Sequence, residues 1–329
     1  MHNVDYPKIL GIGNALVDIM TLLSDESTLQ EFGLPKGSMT LVGRELSEKM
    51  QEKTNGFEKK ITTGGSVANA MNGVANLGVP CGFVGSVAED DMGRFFESKL
   101  EENRIEPFLK KMDTRTGRAV ALITPDGERT FGTYLGAAVD MGADDVDPKV
   151  FEGFDYFLIE GYLVQNYALI LEAARKAKTA GLKVALDLAS YNVVEANLEV
   201  LNDLVDNYVD ILFANEEEAK AFTDKEPEDA LDAIASRCDI AVVKVGSKGA
   251  FIKQGTSKWH IPAKGNKVVD TTGAGDFFAA GMLAGISKGY ELEKAGRLGA
   301  LLAGRIIGVV GAQLDAEAWS EIKAAEAQL

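Results

Sequence analysis

Residues 270–276 read Asp-Thr-Thr-Gly-Ala-Gly-Asp and run directly into 277–286, FFAAGMLAGI, a stretch without charge. Gly273 and Gly275 lack a Cβ, so the backbone can bend tightly and bring its N–H groups close to a ligand. The apolar run that follows is rich in helix formers, and a buried helix is predicted to begin near Gly275. The first amides of such a helix have no intrahelical partner, and the macrodipole adds about half a positive charge there. Phosphate is the natural occupant. Asp276 falls in that first turn, where it can take a proton from an attacking hydroxyl. A tight loop with Asp276 as a capping acid accounts for these seven residues equally well.

The chain around this loop has 329 residues, 46% of them hydrophobic and 26% charged, which are ordinary globular values. One α/β domain with an appendage and two separate domains both fit that length. A net charge of −16 gives no field that attracts a polyphosphate backbone, so nucleic-acid binding is disfavoured and an anionic substrate needs local donors. Cys81 and Cys238 stand in apolar contexts that suit buried thiols in a reducing compartment. With His2 and His260 the only histidines, a zinc site is not expected. The N-terminal apolar run is broken by Asn14 and Asp18, and no run reaches the roughly 18 apolar residues of a membrane span. A cytoplasmic protein with no membrane partner is expected.

In chain order, KILGIG (8–13) reads as a buried strand ending in a glycine turn. GIGNALVD begins like a dinucleotide fingerprint, but Leu16 stands where the third glycine belongs, so a Rossmann NAD site is rejected. Residues 24–57 read as a polar helix, a turn at 34–37, the strand SMTLV and an amphipathic helix over 44–53. In TTGGSVANAMNGVANLG (62–78), Val67, Met71, Val74 and Leu77 recur at helical spacing, which sets Asn69 in a first turn behind a glycine loop. A strand (81–87) and a helix (90–103) lead to three strand-like pieces, EPFLKK, GRAVALITP and ERTFGTYL. Asp126-Gly127 is the expected hairpin turn between the last two. From 154 onward strands alternate with helices, which implies a parallel sheet with right-handed crossovers and a site at the C-terminal strand ends. AFIKQ and KWHIPA resemble a hairpin, and helices over 276–287 and 291–308 follow. After the strand YVDILFA, Asn215 and Glu218 share a helix face, where they either hold Mg²⁺ through its waters or form a capping box. The dipeptide Gly-Lys never occurs, so there is no Walker phosphate loop.

Taken together, DTTGAGDFFAAG, GGSVANAMNGVANLG and NEEE resemble the PfkB carbohydrate kinase family, and order and spacing match over nearly the whole chain. Within that family the adenosine kinases are most similar, through GNALVDI, LPKGSMTLV, DGERTFGTYLGAA and IIGVVGAQL. The resemblance implies a ribokinase-like three-layer α/β/α sandwich around a mainly parallel sheet, with a small β-sheet lid. The core would comprise 1–16, 63–103 and 137–329, and the lid 17–62 and 104–136.

For the site, the resemblance implies that Asp276 is the base for a CH₂OH nucleophile and that the amides of Gly273, Ala274 and Gly275 stabilise the phosphoryl group. Asp18 would hold ribose hydroxyls with Gly64, Gly65 and Asn69, beside Asn14. Leu16, Met39, Phe131 and Leu135 would line an apolar slot with Tyr162 as a stacking wall. The ATP site would take in Asn215, Lys244, Gly246, Gly249 and Thr272, with Ala300 and Ala303 packed on adenine. Asn215 and Glu218 would position hydrated Mg²⁺, and Asp270 with Thr272 would help carry a monovalent cation such as K⁺. Two residues depart from the family: Lys244 where many members have Thr, and Arg118 where adenosine kinases often have a small residue. Arg118 is expected in the lid against substrate or phosphate. The implied activity is ATP-dependent phosphorylation of adenosine to AMP by a monomer or homodimer. A free-sugar kinase and a catalytically idle nucleoside-binding protein are the alternatives.

Overall fold

Short runs rich in Val, Ile, Leu and Ala form parallel strands because they are buried on both faces. The computed structural model describes residues 6–126, 128–265 and 267–329. In it nine strands form one sheet, in the order Ser257–Ile261, Ala250–Gln254, Ile240–Lys244, Ile211–Asn215, Lys183–Asp187, Tyr156–Glu160, Ile9–Ile12, Cys81–Ala88 and Ile105–Met112. All neighbours are parallel except around the expected hairpin, where Ala250–Gln254 runs antiparallel to both of its partners.

Alternate residues of these strands enter two different cores. Leu158, Ala185, Phe213 and Val242 face one, where they meet the helices Ser66–Asn76, Ala274–Ser287, Leu292–Ile306 and Ala316–Glu326. Phe157, Val184, Leu212 and Val243 face the other, under Tyr167–Thr179, Leu198–Asn207, Glu216–Thr223 and Pro227–Ala235. The result is the ribokinase-like three-layer fold with a second, smaller sheet.

That second sheet has five strands in the order Met39–Leu41, Arg129–Tyr134, Gly117–Ile123, Leu16–Leu22 and Lys59–Gly64. Register divides its residues between two faces. Asp18 pairs with Ala119 and Thr62, while Ala121 pairs with Met20 and Phe131, and Phe131 with Met39, so these share one face. Val17, Arg118 and Tyr134 lie on the opposite face, which the helix Arg44–Lys53 covers.

The segment expected to belong wholly to the lid, 104–136, divides instead. Ile105–Met112 pairs along its whole length with Cys81–Ala88, because the helix Asp91–Glu102 returns the chain for one more parallel crossover. Only Gly117–Ile123 and Arg129–Tyr134 of that segment join the small sheet. Gly127, half of the expected Asp126-Gly127 turn, lies outside the described residues, as does His2. Among the described residues no helix is long and apolar enough to cross a membrane.

Candidate active site

Four adjacent parallel strands end on polar residues: Glu160, Asp187, Asn215 and Lys244. This C-terminal rim is where an open α/β sheet binds its ligands. Above it sits the loop 270–276. Gly273 caps the helix Ala274–Ser287 with φ 78° and ψ −1°, a left-handed conformation that favours glycine. The amide of Ala274 closes a turn onto the Thr271 carbonyl at 3.1 Å, so it is not one of the free donors the sequence suggested. Among the described residues, the amides of Gly273, Gly275 and Asp276 carry no intramolecular hydrogen bond. They are the free donors of this turn.

Asp276 is held from both sides. Ser66 Oγ donates to Oδ1 at 2.7 Å, and Asn69 Nδ2 donates to Oδ2 at 2.9 Å. Both donors belong to the helix Ser66–Asn76, which crosses so close that a Cβ on Gly73 would lie 2.7 Å from the Cβ of Ala280. Burial pushes the Asp276 carboxyl up to about 6; its two hydrogen bonds and the Lys244 charge restrain the rise, and Asp187 adds to it. Asp18 reaches over from the small sheet, with its carboxylate lying where a Cβ on Gly64 would stand. Burial, then the charge of Asp276, raises it to about 7.

Glu160 is only 2% exposed. It accepts Asn14 Nδ2 at 2.6 Å and the amides of Asn14 and Val67 at 3.3 and 3.2 Å. Burial raises its carboxyl to about 7, and the Asp276 charge contributes. Next in sequence, Tyr162 sits half-buried in the turn Gly161–Gln165. Burial first, then Glu160, Glu218, Asp276 and Asp187, push its phenol up to about 12.

Asn215 and Glu218 form the reciprocal capping box. Glu218 N–H donates to Asn215 Oδ1 at 2.8 Å, while Asn215 N–H and Nδ2 donate to the two Glu218 oxygens at 2.7 and 2.6 Å. Burial raises Glu218 to about 7, against the pull of Lys244. Among the described residues no three His, Cys, Asp or Glu side chains converge to hold a metal ion. A metal here would be held through its waters.

One expected position is corrected, and one expected ligand is found engaged within the chain. Arg118 does not face the Asp18 side of the lid. It is 7% exposed on the opposite face, where its Nε donates to Ser47 Oγ at 2.9 Å and its guanidinium lies over the Tyr134 ring. Strand alternation is the reason, since Asp18 pairs with the neighbouring Ala119. The second concerns Asp270. Its Oδ1 accepts from Thr272 N and Oγ1 at 3.1 and 2.8 Å; its Oδ2 accepts from Gly311 N at 2.7 Å and pairs with the Arg129 guanidinium. Although burial opposes it, these donors hold the Asp270 carboxyl below its usual range. Within the chain, the cation paired with Asp270 is an arginine of the small sheet.

With this geometry in view, the relatives of the chain are informative. Residues 37–319 match the model of the pfkB family carbohydrate kinase. The chain belongs to the PfkB family of carbohydrate kinases. It is similar to the adenosine kinase of Sinorhizobium meliloti, at 34% identity and a TM-score of 0.86 over 98% of this chain and 100% of that one. It is also similar to the adenosine kinase of Saccharomyces cerevisiae, at 31% identity over 93% of this chain and 96% of that protein. The aminoimidazole riboside kinase of Salmonella typhimurium is 29% identical over 75% of this chain and 80% of its own length.

As a PfkB kinase the protein is a phosphotransferase that takes ATP as co-substrate. Of the residues carried over to the ATP side, Gly246 and Gly249 flank a short turn with φ 56° and 98°, and a Cβ on Gly249 would overlap the Ile261 carbonyl. Thr272 is exposed within the loop 270–276, Ala300 is buried and Ala303 half-buried on the helix Leu292–Ile306. Leu16, Met39 and Phe131 share the Asp18 face of this kinase's lid sheet, and Leu135 follows its strand Arg129–Tyr134. Sequence reasoning missed Ser66, Glu160, Asp187 and Arg129.

Proposed function

We propose that this PfkB kinase transfers the γ-phosphoryl group of ATP to the CH₂OH of a ribofuranosyl acceptor, with adenosine, giving AMP, as the preferred substrate. The observation that carries the reading is Asp276. It is a carboxylate ionised at neutral pH, held by Ser66 and Asn69 in the first turn of a helix, beside three unpartnered amides. It takes the hydroxyl proton as the acceptor oxygen bonds to phosphorus and the bond to the ADP leaving oxygen breaks. Phosphoryl transfer has a loose transition state, so catalysis is mostly positioning and charge stabilisation. The amides of Gly273, Gly275 and Asp276 supply part of that charge.

On the acceptor side, Asp18 with Gly64, Gly65 and Asn69 suits vicinal ribose hydroxyls. Leu16, Met39 and Phe131 on the same lid face, with Tyr162, suit a flat base. Adenosine kinases and an aminoimidazole riboside kinase are among its relatives, beside kinases named for other sugars, which supports a ribosyl acceptor as one of the family's substrates.

Mg²⁺ bound to the ATP phosphates would supply charge neutralisation. The rim suits it, since Asp187, Glu218 and Asp276 gather around the ammonium of Lys244. Glu218, its carboxylate already fixed by Asn215, would meet the ion through water. Glu218→Gln is expected to raise the Mg²⁺ concentration for half-maximal rate by about threefold or more, the effect of losing roughly 0.7 kcal/mol. An unchanged Mg²⁺ titration would leave the capping box as its whole role.

A free-sugar kinase is the second reading, favoured by Asn14. Its Oδ1 is buried and, among the described residues, has no partner, which suits one more sugar hydroxyl. An ATP-dependent assay over adenosine, aminoimidazole riboside, ribose and fructose separates the two. Adenosine is expected to have the highest kcat/KM. Tyr162→Ala should weaken its use roughly 5- to 150-fold, from about 1–3 kcal/mol of base stacking, and affect ribose far less. Faster turnover of ribose or fructose than of adenosine sinks the nucleoside assignment.

A further inference from the structure

Lys244 ends the strand Ile240–Lys244 with its side chain only 14% exposed. Its Nζ lies 3.0 Å from Asp187 Oδ2 and 3.1 Å from the point where a Cβ on Gly275 would stand. The ammonium therefore lies against the first turn of the helix that carries Asp276 and the free amides. An ammonium has three N–H donors. Among the described residues Asp187 is its one hydrogen-bond partner. Burial works against its charge, but Asp187, Glu218 and Asp276 more than offset that and keep it protonated. A salt bridge to Asp187 alone needs neither the remaining donors nor the approach to Gly275.

We propose that Lys244 is a catalytic residue that donates to the transferring γ-phosphoryl group, with Asp187 as the positioning residue that aims it. This rests on the phosphoryl-transfer reading of the Asp276 site. Lys244 adds a full positive charge where the three amides offer only partial ones, and lysine serves phosphates as a point charge. It keeps its proton throughout: the proton of the acceptor goes to Asp276, and Lys244 only follows the oxygens of the phosphoryl group. A threonine at this position has a hydroxyl but no charge, so a kinase built that way must take the charge from elsewhere.

The test compares wild type, Lys244→Met, Asp187→Asn and the double variant, using the acceptor that the wild type turns over fastest in the four-compound assay. Lys244→Met is expected to lower kcat about 10²-fold, the scale of losing one stabilising donor to a transition state, with the KM for ATP changed only a few-fold. Asp187→Asn should cost much less. The double variant should stay as slow as Lys244→Met. If the double variant instead recovers to within threefold of wild type, Lys244 merely neutralises Asp187 and the proposal is overturned; unchanged kcat in Lys244→Met overturns it too. Should Lys244→Met fail to fold because Asp187 is left unpaired, the double variant removes that carboxylate as well and decides the question alone. A wild type that phosphorylates no acceptor overturns the phosphoryl-transfer reading and this proposal together, whereas an active wild type with a fast double variant overturns only this one.

Discussion

Asp276→Asn is expected to lower kcat by about 10²- to 10⁴-fold, the range of a positioned general base, and at the same time to raise the melting temperature at pH 8. Both effects have one cause. The carboxyl is lifted from 3.8 to about 6 in the folded chain, chiefly by burial. A raised acid contributes stability that is present below its unfolded pKa and lost as the pH climbs through the folded one. At pH 8 the charged side chain therefore costs stability, and the neutral amide removes that cost. The fit is preserved, because the substituted amide can accept from Asn69 through its oxygen while the Ser66 hydroxyl rotates to accept from its nitrogen. Thermal melts at pH 4.5 and pH 8 should show the variant gaining on wild type only at the higher pH. Wild-type turnover should fall as the pH drops through about 6. An Asn variant with wild-type kcat would reduce Asp276 to a helix cap.

Gly65→Ala is expected to produce the largest loss of stability in the acceptor site. Gly65 precedes the helix Ser66–Asn76 at φ 97° and ψ 133°, outside the regions that other residues adopt readily. A Cβ there would overlap the carbonyl oxygen of Asn14, which is backbone and cannot rotate away. Strain and overpacking together amount to roughly 2–6 kcal/mol. At about 2 °C per kcal/mol for a chain of this size, the midpoint should fall by roughly 4–12 °C. The displacement passes straight to Ser66 and Asn69, and the KM of the acceptor is expected to rise by about tenfold or more, from roughly 1.4 kcal/mol of lost binding. A variant with wild-type melting and KM would show that the link between Asn14 and the helix is slack.

Local signals carried most of the architecture. The regular strand–helix rhythm from 154 onward and the uncharged helix after 276 have short-range periodicities, and both stand in the structure. What was not legible depends on pairing partners far away. EPFLKK looks like any half-buried strand, and nothing within it says that it joins Cys81–Ala88 rather than the small sheet. Arg118 was read on the wrong face because side-chain direction in a strand has period two and the reading had no register to anchor it. The Arg129–Asp270 pair spans 141 residues and left no mark at either end. Glu160 and Asp187 did leave a signal. Each closes an apolar run, in FLIEG and VALDL, at the C-terminal end of a parallel strand. The helix Ala316–Glu326 was missed because its alanines and charges blur the apolar stripe, although Trp319 and Ile322 are buried.

The strands of both sheets all lie before residue 262, yet Asp276 comes later, on a helix, with its carboxylate held by partners 210 and 207 residues earlier. During synthesis the chain therefore completes its sheet material while one face still lacks the helices Ala274–Ser287 and Leu292–Ile306 that cover it. An uncovered apolar face of this kind is prone to aggregate. Release of this last part of the chain from the ribosome thus delivers the covering helices of that core and Asp276 in one stroke. A truncated product that stops short of this point lacks both the helices that cover that face and Asp276.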